Sequence, residues 1–225
     1  MTLVRIVCIS DTHGQHANLS VPEGDILIHA GDFMTFGDSS TEVTDFNQWL
    51  GQQMHRHKVV IAGNHDWIFE RQPGVARALL TNAIYLENSG VEIEGLSIWG
   101  SPVQPPFNNW AFNVKRGAAI RRYWKMIPEG TDILVTHGPP FGTLDQSHSI
   151  TPHLGCEELT KRIEELKPRL HVFGHIHGGH GQVTSASGTQ FVNASVLNEA
   201  YQLVHKAQVV ELYTQTRLPD EVVKN

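Results

Sequence analysis

The sequence has few cysteines, no excess of positive charge and no long run of apolar residues. Its only two cysteines, Cys8 and Cys156, lack the spacing of a metal motif, so we expect reduced thiols in a cytoplasmic protein. Lys and Arg number 17 against 23 Asp and Glu, for a net charge of -6, which argues against a nucleic acid polymer as partner. Because no apolar run approaches the length of a membrane span, no membrane partner is expected either.

What the sequence does contain is an alternation of apolar strands and amphipathic helices, in a length that fits a single domain over residues 1–225. Short continuous apolar runs are typical of strands covered on both faces. Five such runs predict strands at Val4–Ser10, Asp25–Ala30, Lys58–Ala62, Asp132–Thr136 and Leu170–Phe173. Apolar residues at helical spacing predict helices at Glu42–His55, Lys115–Met126 and Cys156–Lys167. The predicted fold class is therefore an α/β sandwich with the helices outside.

Smaller local signals refine this prediction. Ser39 and Glu42 have the spacing of a capping box before the first helix. Shorter strands are expected in Val91–Gly100 and Gly181–Leu212, and Gly188 lies between two runs that can pair as a hairpin.

Each of the five predicted strands runs into polar residues that suit metal binding. These residues are Asp11, His13, Asp32, Asn64, His65, Asp66, His137, His175 and His177. In open α/β sheets, ligands bind just beyond the carboxyl ends of strands, so we expect these side chains to converge on one crevice. Crowded carboxylates and imidazoles are unfavourable unless cations neutralise them. Two divalent ions meet this need, and the mixed donor set suits Mn, Fe or Zn better than Ca.

Glycines accompany these polar residues at the strand ends. Gly31, Gly63, Gly138 and Gly174 each adjoin a predicted site residue. Because glycine permits sharp turns and close backbone approach, we expect tight packing around the crevice.

Five sequence blocks at the strand ends carry a resemblance to a known family. D-T-H, G-D, G-N-H-D, T-H-G and G-H-I-H, in this order, resemble the calcineurin-like metallophosphoesterase superfamily over roughly residues 5–195. More narrowly, SDTHG, ILIHAGDF, VIAGNHD, DILVTHGPPFG, LHVFGHIH and FVNAS resemble the small metallophosphoesterase-domain phosphodiesterases without a large cap domain. The resemblance implies a four-layer α-β-β-α sandwich of two mixed sheets flanked by helices. Some members of this group lack the first histidine of the last metal block, which this chain keeps as His175.

The resemblance also assigns a role to each site residue. The first metal is expected to take Asp11, His13 and His177, and the second to take Asn64, His137 and His175, with Asp32 bridging both. His65 and Asp66 are the expected catalytic residues. His65 would face the phosphate and its leaving group, and Asp66 would orient or polarise the His65 ring. Manganese is the favoured metal.

The implied activity is binuclear, metal-dependent hydrolysis of phosphodiesters, with cyclic nucleotides among the candidate substrates, by in-line attack of a metal-bridging hydroxide. The partner would be a small phosphate ester, and a homo-oligomer is compatible with the sequence. Two alternatives stay open, a phosphomonoesterase of the same fold and a non-catalytic nucleotide-binding or scaffold member. Phe33, Met34 and Thr35 after Gly31–Asp32 depart from the protein-phosphatase signature, and the complete ligand set counts against a scaffold.

Several side chains have more than one interpretation. Asp11 and Asp32 could cap helices, and Asn64 could be a turn residue. Whether Trp110, His180 or Asn193 contacts substrate stays open: they could instead pack a loop, lie at the surface and end a strand, respectively. His29 and His171 lie within strands and are expected to be core or half-buried. Surface or loop positions are expected for six other histidines, His16, His55, His57, His148, His153 and His205.

Overall fold

The computed structural model describes residues 2–147 and 152–214, and two mixed β-sheets form its centre. The strands are β1 (Thr2–Ile9), β2 (Ile26–His29), β3 (His57–Val60), β4 (Ile84–Tyr85), β5 (Ser89–Ile93), β6 (Leu96–Ser101), β7 (Ile133–Thr136), β8 (Leu170–Phe173), β9 (Gly181–Thr184), β10 (Gln190–Asn193) and β11 (Gln208–Thr214). The five strands predicted from apolar runs are thereby confirmed, with ends shifted by up to two residues. The predicted hairpin around Gly188 is also present, as the antiparallel pair β9 and β10.

The two sheets share one design, a parallel centre with antiparallel strands at the edge. The first sheet has the order β11-β1-β2-β3-β4, in which β11 is antiparallel to its neighbour and the other pairs are parallel. The second has the order β5-β6-β7-β8-β10-β9, with β5 and β9 antiparallel. Because the central strands of each sheet run in one direction, their carboxyl ends collect at one edge.

Apolar clusters hold four layers together. The inner cluster fills the space between the sheets with side chains such as Ile28 from β2 and Val135 from β7. A second cluster packs the outer face of the first sheet against helices, with Phe46 at its centre. A third does the same for the second sheet around Trp124. The result is an α-β-β-α sandwich, the predicted fold class.

In the described part of the chain, five α-helices cover the outer faces of the sheets. They are α1 (Ser40–Gln52), α2 (Trp67–Arg71), α3 (Pro73–Leu79), α4 (Ala118–Trp124) and α5 (Glu157–Leu166), and the 3-10 helices are His16–Asn18 and His177–Gly179. The capping box predicted before α1 was wrong, because Ser39 occupies the N-cap position but its side chain makes no capping hydrogen bond in the described structure. Within the described ranges, none of these helices combines the length and apolarity needed to cross a bilayer.

The two sheets are joined at the edge where their strands end. Ser10, just after β1, forms a parallel bridge to Ser195, just after β10. The amide of Val196 donates to the carbonyl of Ser10 at 3.0 Å. This contact brings the carboxyl ends of both sheets to a common edge, where the predicted site residues lie.

Candidate metal centre

The backbone turns sharply at the ends of the strands that carry the predicted ligands. Asp11, His13, Asp32 and His175 all have positive φ angles, of 56°, 40°, 56° and 66°. The turns brace one another, since the amide of Asp11 donates to the carbonyl of Gly31 at 2.9 Å and that of His13 donates to the carbonyl of Asp32 at 3.0 Å. Non-glycine residues rarely adopt this left-handed conformation, and such strain clusters at functional sites.

Two glycines allow these turns to approach each other. A Cβ atom on Gly63 would lie 2.3 Å from Asp32 Oδ1, and one on Gly174 would lie 2.0 Å from Asp11 Oδ2. Both positions therefore require glycine, as expected from the sequence. Gly138 differs, because a Cβ there would meet Gln104 at an ordinary distance of 3.6 Å. The prediction of close approach was therefore wrong for Gly138.

The first ligand cluster joins the two sheets. One ligand atom each from Asp11, His13 and His177 lies within 4.8 Å of the others, in buried positions. Asp11 Oδ1 is 3.4 Å from His177 Nε2. The hydroxyl of Ser195 donates to Asp11 Oδ2 at 2.8 Å, so the carboxylate is fixed from outside the cluster.

The second ligand cluster consists of Asp32, His137 and His175, whose ligand atoms also lie within 4.8 Å of one another. His137 Nε2 is 3.3 Å from Asp32 Oδ2 and 2.9 Å from Asn64 Oδ1. The same oxygen, Asp32 Oδ2, also lies 3.8 Å from His13 Nε2 of the first cluster. Asp32 therefore lies between the two clusters, in the place expected of a bridging carboxylate.

Three ligand histidines are oriented by backbone carbonyl groups. The Nδ1 atoms of His13, His137 and His177 lie 3.2, 2.9 and 3.0 Å from the carbonyl oxygens of Met34, Ala30 and Asn198. When the ring is neutral, a proton on Nδ1 leaves the Nε2 lone pair directed into the site, the usual arrangement of metal-binding histidines. His13 Nε2 is buried and has no hydrogen-bond partner among the described residues. A buried nitrogen acceptor of this kind fits a cation.

The two clusters have matching protonation patterns. Burial lowers the pKa of His13 to about 4 and that of His175 to about 3, so one imidazole in each cluster is neutral. Burial also opposes the charge on His137 and His177, but Asp32 outweighs it and raises the pKa of His137 to about 9, while Asp11 raises that of His177. Burial alone would raise the pKa of Asp11 and Asp32, yet their histidine neighbours hold both well below the usual range.

His65 lies beside the clusters with its ring held on two sides. Its Nδ1 is 2.8 Å from the carbonyl oxygen of Thr35, and its face stacks on Trp110 with 4.1 Å between ring centroids. A third group of possible ligand atoms includes His65 with His13 and Asp32. His65 is half-exposed, whereas the ligand histidines of the first cluster are buried, and its ring stacks on Trp110.

Asp66 occupies a different position from the one expected. Its carboxylate accepts hydrogen bonds from the amides of Asp32, Met34 and Gly63, at 2.9, 2.9 and 2.7 Å. The His65 ring bonds to Thr35 instead. The expectation that Asp66 orients His65 therefore does not match these contacts, and Asp66 fixes the turn that carries Asp32.

A cleft of about 180 Å³ opens onto the clusters. It is lined by His13, Asp32, Asn64, His65, Phe107, Ser147, Leu154, His175, Ile176, His177, Glu199 and Tyr201. Tyr201, whose ring centroid lies 5.0 Å from that of His13, was not anticipated, because no motif surrounds it in the sequence. Ser195 was also missed, although it lies in the FVNAS block, because its bond to Asp11 spans 184 positions.

The three undecided side chains have distinct surroundings. Trp110 packs on His65, as described above. His180 lies outside the cleft lining, with Nδ1 2.8 Å from the carbonyl oxygen of Ser195 and its ring stacked on His205. The Asn193 side-chain amide donates to the carbonyls of Leu144 and Ile176. Asn193 thus ties two loops together.

The fold and the strand-end cluster together define a metal-dependent phosphoesterase. The family model for the calcineurin-like phosphoesterases matches residues 4–179, and the chain belongs to that family. Members of this family are metal-dependent hydrolases of phosphate esters, and the His and Asp clusters described above are the chain's candidate metal-binding groups.

Individual relatives are consistent with this assignment. The chain is 44% identical to the human metallophosphoesterase domain-containing protein 1, with 93% of this chain and 71% of the human protein covered. The fold resembles that of the protein TT1561 from Thermus thermophilus, at a TM-score of 0.59 and 16% identity over 85% of this chain and 89% of that one. The phosphopantetheinyl hydrolase of Mycobacterium tuberculosis has the same TM-score at 13% identity, over 87% and 90% of the two chains.

Proposed function

We propose that this chain, as a single domain over residues 1–225, is a binuclear metal-dependent phosphodiesterase. The observation that carries the proposal is the pair of adjacent ligand clusters, Asp11–His13–His177 and Asp32–His137–His175. Each contains one carboxylate and two imidazoles, and Asp32 lies between them. Two cations held in this way would neutralise the buried carboxylates that collect at the strand ends.

The donor set fits two divalent ions. Asp11, His13 and His177 would hold the first, Asn64, His137 and His175 the second, and Asp32 both. Imidazole and carboxylate donors together suit Mn, Fe or Zn, and Mn is our preferred candidate. When bound, such a pair neutralises phosphoryl oxygens and lowers the pKa of a water molecule towards neutrality, which provides a nucleophile.

The chain's own residues supply the rest of the chemistry. His65 borders the cleft beside His13, with 4.5 Å between ring centroids, and its Nδ1 is occupied by the carbonyl oxygen of Thr35. Its Nε2 is then the atom that can hold a proton for the departing alcohol oxygen. General acid catalysis of this type contributes about 10²–10⁴-fold to the rate. Asp32 also fixes the backbone at His65, since the His65 amide donates to Asp32 Oδ1 at 2.7 Å.

The charge of the cleft favours a diester over a monoester. A phosphate monoester approaches a second negative charge near neutral pH, whereas a diester carries only one. Among the described residues that line the cleft there is no Lys or Arg, and Glu199 adds negative charge. A substrate with a single negative charge suits these surroundings better. Small diesters, cyclic nucleotides among them, are the substrate class that we propose.

A comparison of two aryl phosphates tests this function. Bis(4-nitrophenyl) phosphate and 4-nitrophenyl phosphate release the same chromophore, so their kcat/KM values can be compared directly with added Mn and after chelation. We expect metal-dependent turnover with preference for the diester. Preference for the monoester would instead identify a phosphomonoesterase. Bound metal without turnover of either compound would indicate a non-catalytic member of the family.

A further inference from the structure

A second recess opens beside the metal-binding cleft. We call it the apolar recess, and its walls are Pro105, Pro106, Phe107, Pro139, Leu154 and Ile176. Its volume of about 80 Å³ is below that of a pocket for a whole small molecule, so it suits a single substituent. His175, Phe107, Leu154 and Ile176 line both the recess and the cleft. A molecule bound at the clusters can therefore extend one substituent into the recess.

The recess presents carbon rather than hydrogen-bonding groups. The amide of Phe107 donates to Asn113 Oδ1 at 3.1 Å, and that of Leu154 donates to the carbonyl of Asp145 at 3.1 Å. The carbonyl of Ile176 accepts a hydrogen bond from Asn193, and that of Gly138 accepts one from Thr136 Oγ1. The proline residues of the wall have no amide hydrogen. Because these backbone groups are already bonded or absent, the recess is suited to an apolar substituent.

The guanidinium group that lines the recess, that of Arg116, is bonded to the protein. Arg116 donates to the carbonyls of Gly155 and Leu154, at 2.7 and 2.9 Å, and to Glu157 at 2.7 Å. These bonds join the loop before α4 to the loop before α5, which forms the opposite wall. Arg116 therefore holds the walls together, and three of its N–H donors are directed at the protein.

The recess is built before any ligand arrives. Its first wall, the loop of residues 105–113, is braced by the Asn113 side-chain amide, which donates to the carbonyls of Phe107 and Asn108. The amide of Ala111 donates to the carbonyl of Asn64 at 3.2 Å, so this wall is tied to a proposed metal ligand. A pocket that needs little ordering loses less affinity to entropy when it binds.

The position of the recess identifies which part of a diester it can hold. His65, the proposed acid for the departing alcohol, lines the cleft but does not line the recess, which adjoins His175 instead. We infer that the apolar recess binds the retained ester group of the substrate, and that this group is apolar and no larger than a single aromatic ring. This inference rests on the proposed phosphodiesterase function.

Two diesters that share a leaving group test this inference separately from the proposed phosphodiesterase function. Methyl 4-nitrophenyl phosphate and benzyl 4-nitrophenyl phosphate differ only in the retained alkyl group, and both lose 4-nitrophenolate. For the metal-loaded wild-type chain we expect kcat/KM to be about 10- to 100-fold higher for the benzyl compound. Equal values for the two would overturn the inference and leave the function intact. Turnover of neither would overturn both.

Substitutions in the wall of the apolar recess test whether the preference for the benzyl diester arises there. Phe107→Ala and Leu154→Ala should each reduce the benzyl-to-methyl ratio by roughly 2- to 10-fold, since each removes an apolar contact. Phe141→Ala is the matched control, because Phe141 is 41% exposed against 44% for Phe107 and also packs on a histidine, but lies outside the recess lining. Its ratio should equal that of wild type. Unchanged ratios in both wall variants would overturn the inference.

Metal analysis of the variants shows whether a changed ratio results from loss of metal. Phe107 packs edge-on against His175, at 5.1 Å between centroids, so its removal could disturb a proposed ligand. Leu154→Ala provides the independent arm, and the metal content of each variant should equal that of wild type. If the ratio changed only in a variant that had lost metal, the recess would not bind the retained group.

Discussion

The two ligand clusters are alike in composition but differ in what supports them. Each has one carboxylate, one imidazole whose pKa is raised and one whose pKa is lowered. In the first, the carboxylate of Asp11 is held by the Ser195 hydroxyl. In the second, His137 Nε2 is already bonded to Asn64. Each of the two clusters draws residues from both sheets, so metal binding there depends on the packed sandwich.

The largest effect is expected from removing the residue that the two clusters share. Asp32→Ala should remove both cations and reduce activity by about 10³-fold or more, because each bound ion contributes several kcal/mol to the reaction. Metal analysis beside kinetics measures both losses. Asp11→Ala is the comparison variant, which should lose the first cation before the second. An Asp32→Ala protein that keeps two ions would disprove the bridging role.

A smaller effect is expected from His65, which lies next to both clusters. His65→Ala should retain both cations and lose about 10²–10⁴-fold in kcat, since only the proton donor is removed. His57→Ala is a suitable control, because His57 is half-buried and pairs with Glu94 outside the cleft lining. Loss of metal from His65→Ala would show that His65 is a ligand, as its distance from His13 and Asp32 allows.

The smallest effect distinguishes the two clusters directly. Ser195→Ala removes the hydrogen bond to Asp11 and leaves the Asp32 cluster intact. Loss of such a supporting contact typically costs about 10–100-fold in metal affinity, so the first site should weaken and the second should not. Titration of the metal-free protein with Mn measures the two affinities. Ser187→Ala, at an exposed turn, should change neither. Equal weakening of both sites would contradict the separation of the clusters.

The central strands could be predicted because their signal is local. Short apolar runs mark β1, β2, β3, β7 and β8, and the polar residues that follow them are adjacent in the chain. Helices α2 and α3 were missed because they have only 5 and 7 residues, too few to show a clear periodicity. The last strand, β11, pairs with β1 through contacts such as Thr2 with Thr214, which no local pattern contains.

The burial and packing partners of individual histidines were predicted less well than the positions of the strands. His29 and His171 are buried, as predicted. His16 and His55 were expected at the surface and are also buried, because His16 packs against Phe46 and Trp49 and His55 lies under Gly24. His148 lies outside the described residues. These packing partners come from distant elements, so their identity depends on the complete fold.

The ion pairs of helix α5 also could not be predicted from the sequence. Pairs four apart were expected between Glu157 and Lys161 and between Glu158 and Arg162. Glu157 instead pairs with Arg116, and Glu158 pairs with Arg121 and Lys161. The neighbouring helix α4 and its preceding loop offer better-placed guanidinium groups, and sequence spacing within one helix cannot reveal them.

The left-handed turns at Asp11, His13, Asp32 and His175 have a consequence for protein engineering. Each such non-glycine residue costs about 1–2 kcal/mol relative to an ordinary backbone, and the cost is borne at the positions that present the ligands. Transplanting the seven side chains onto another scaffold would therefore fail unless its loops reproduced the same twisted peptide geometry. Conversely, glycine at these four positions would relieve the backbone cost only by deleting the side chains that present the ligands, together with the hydrogen bonds that Asp11 and Asp32 accept.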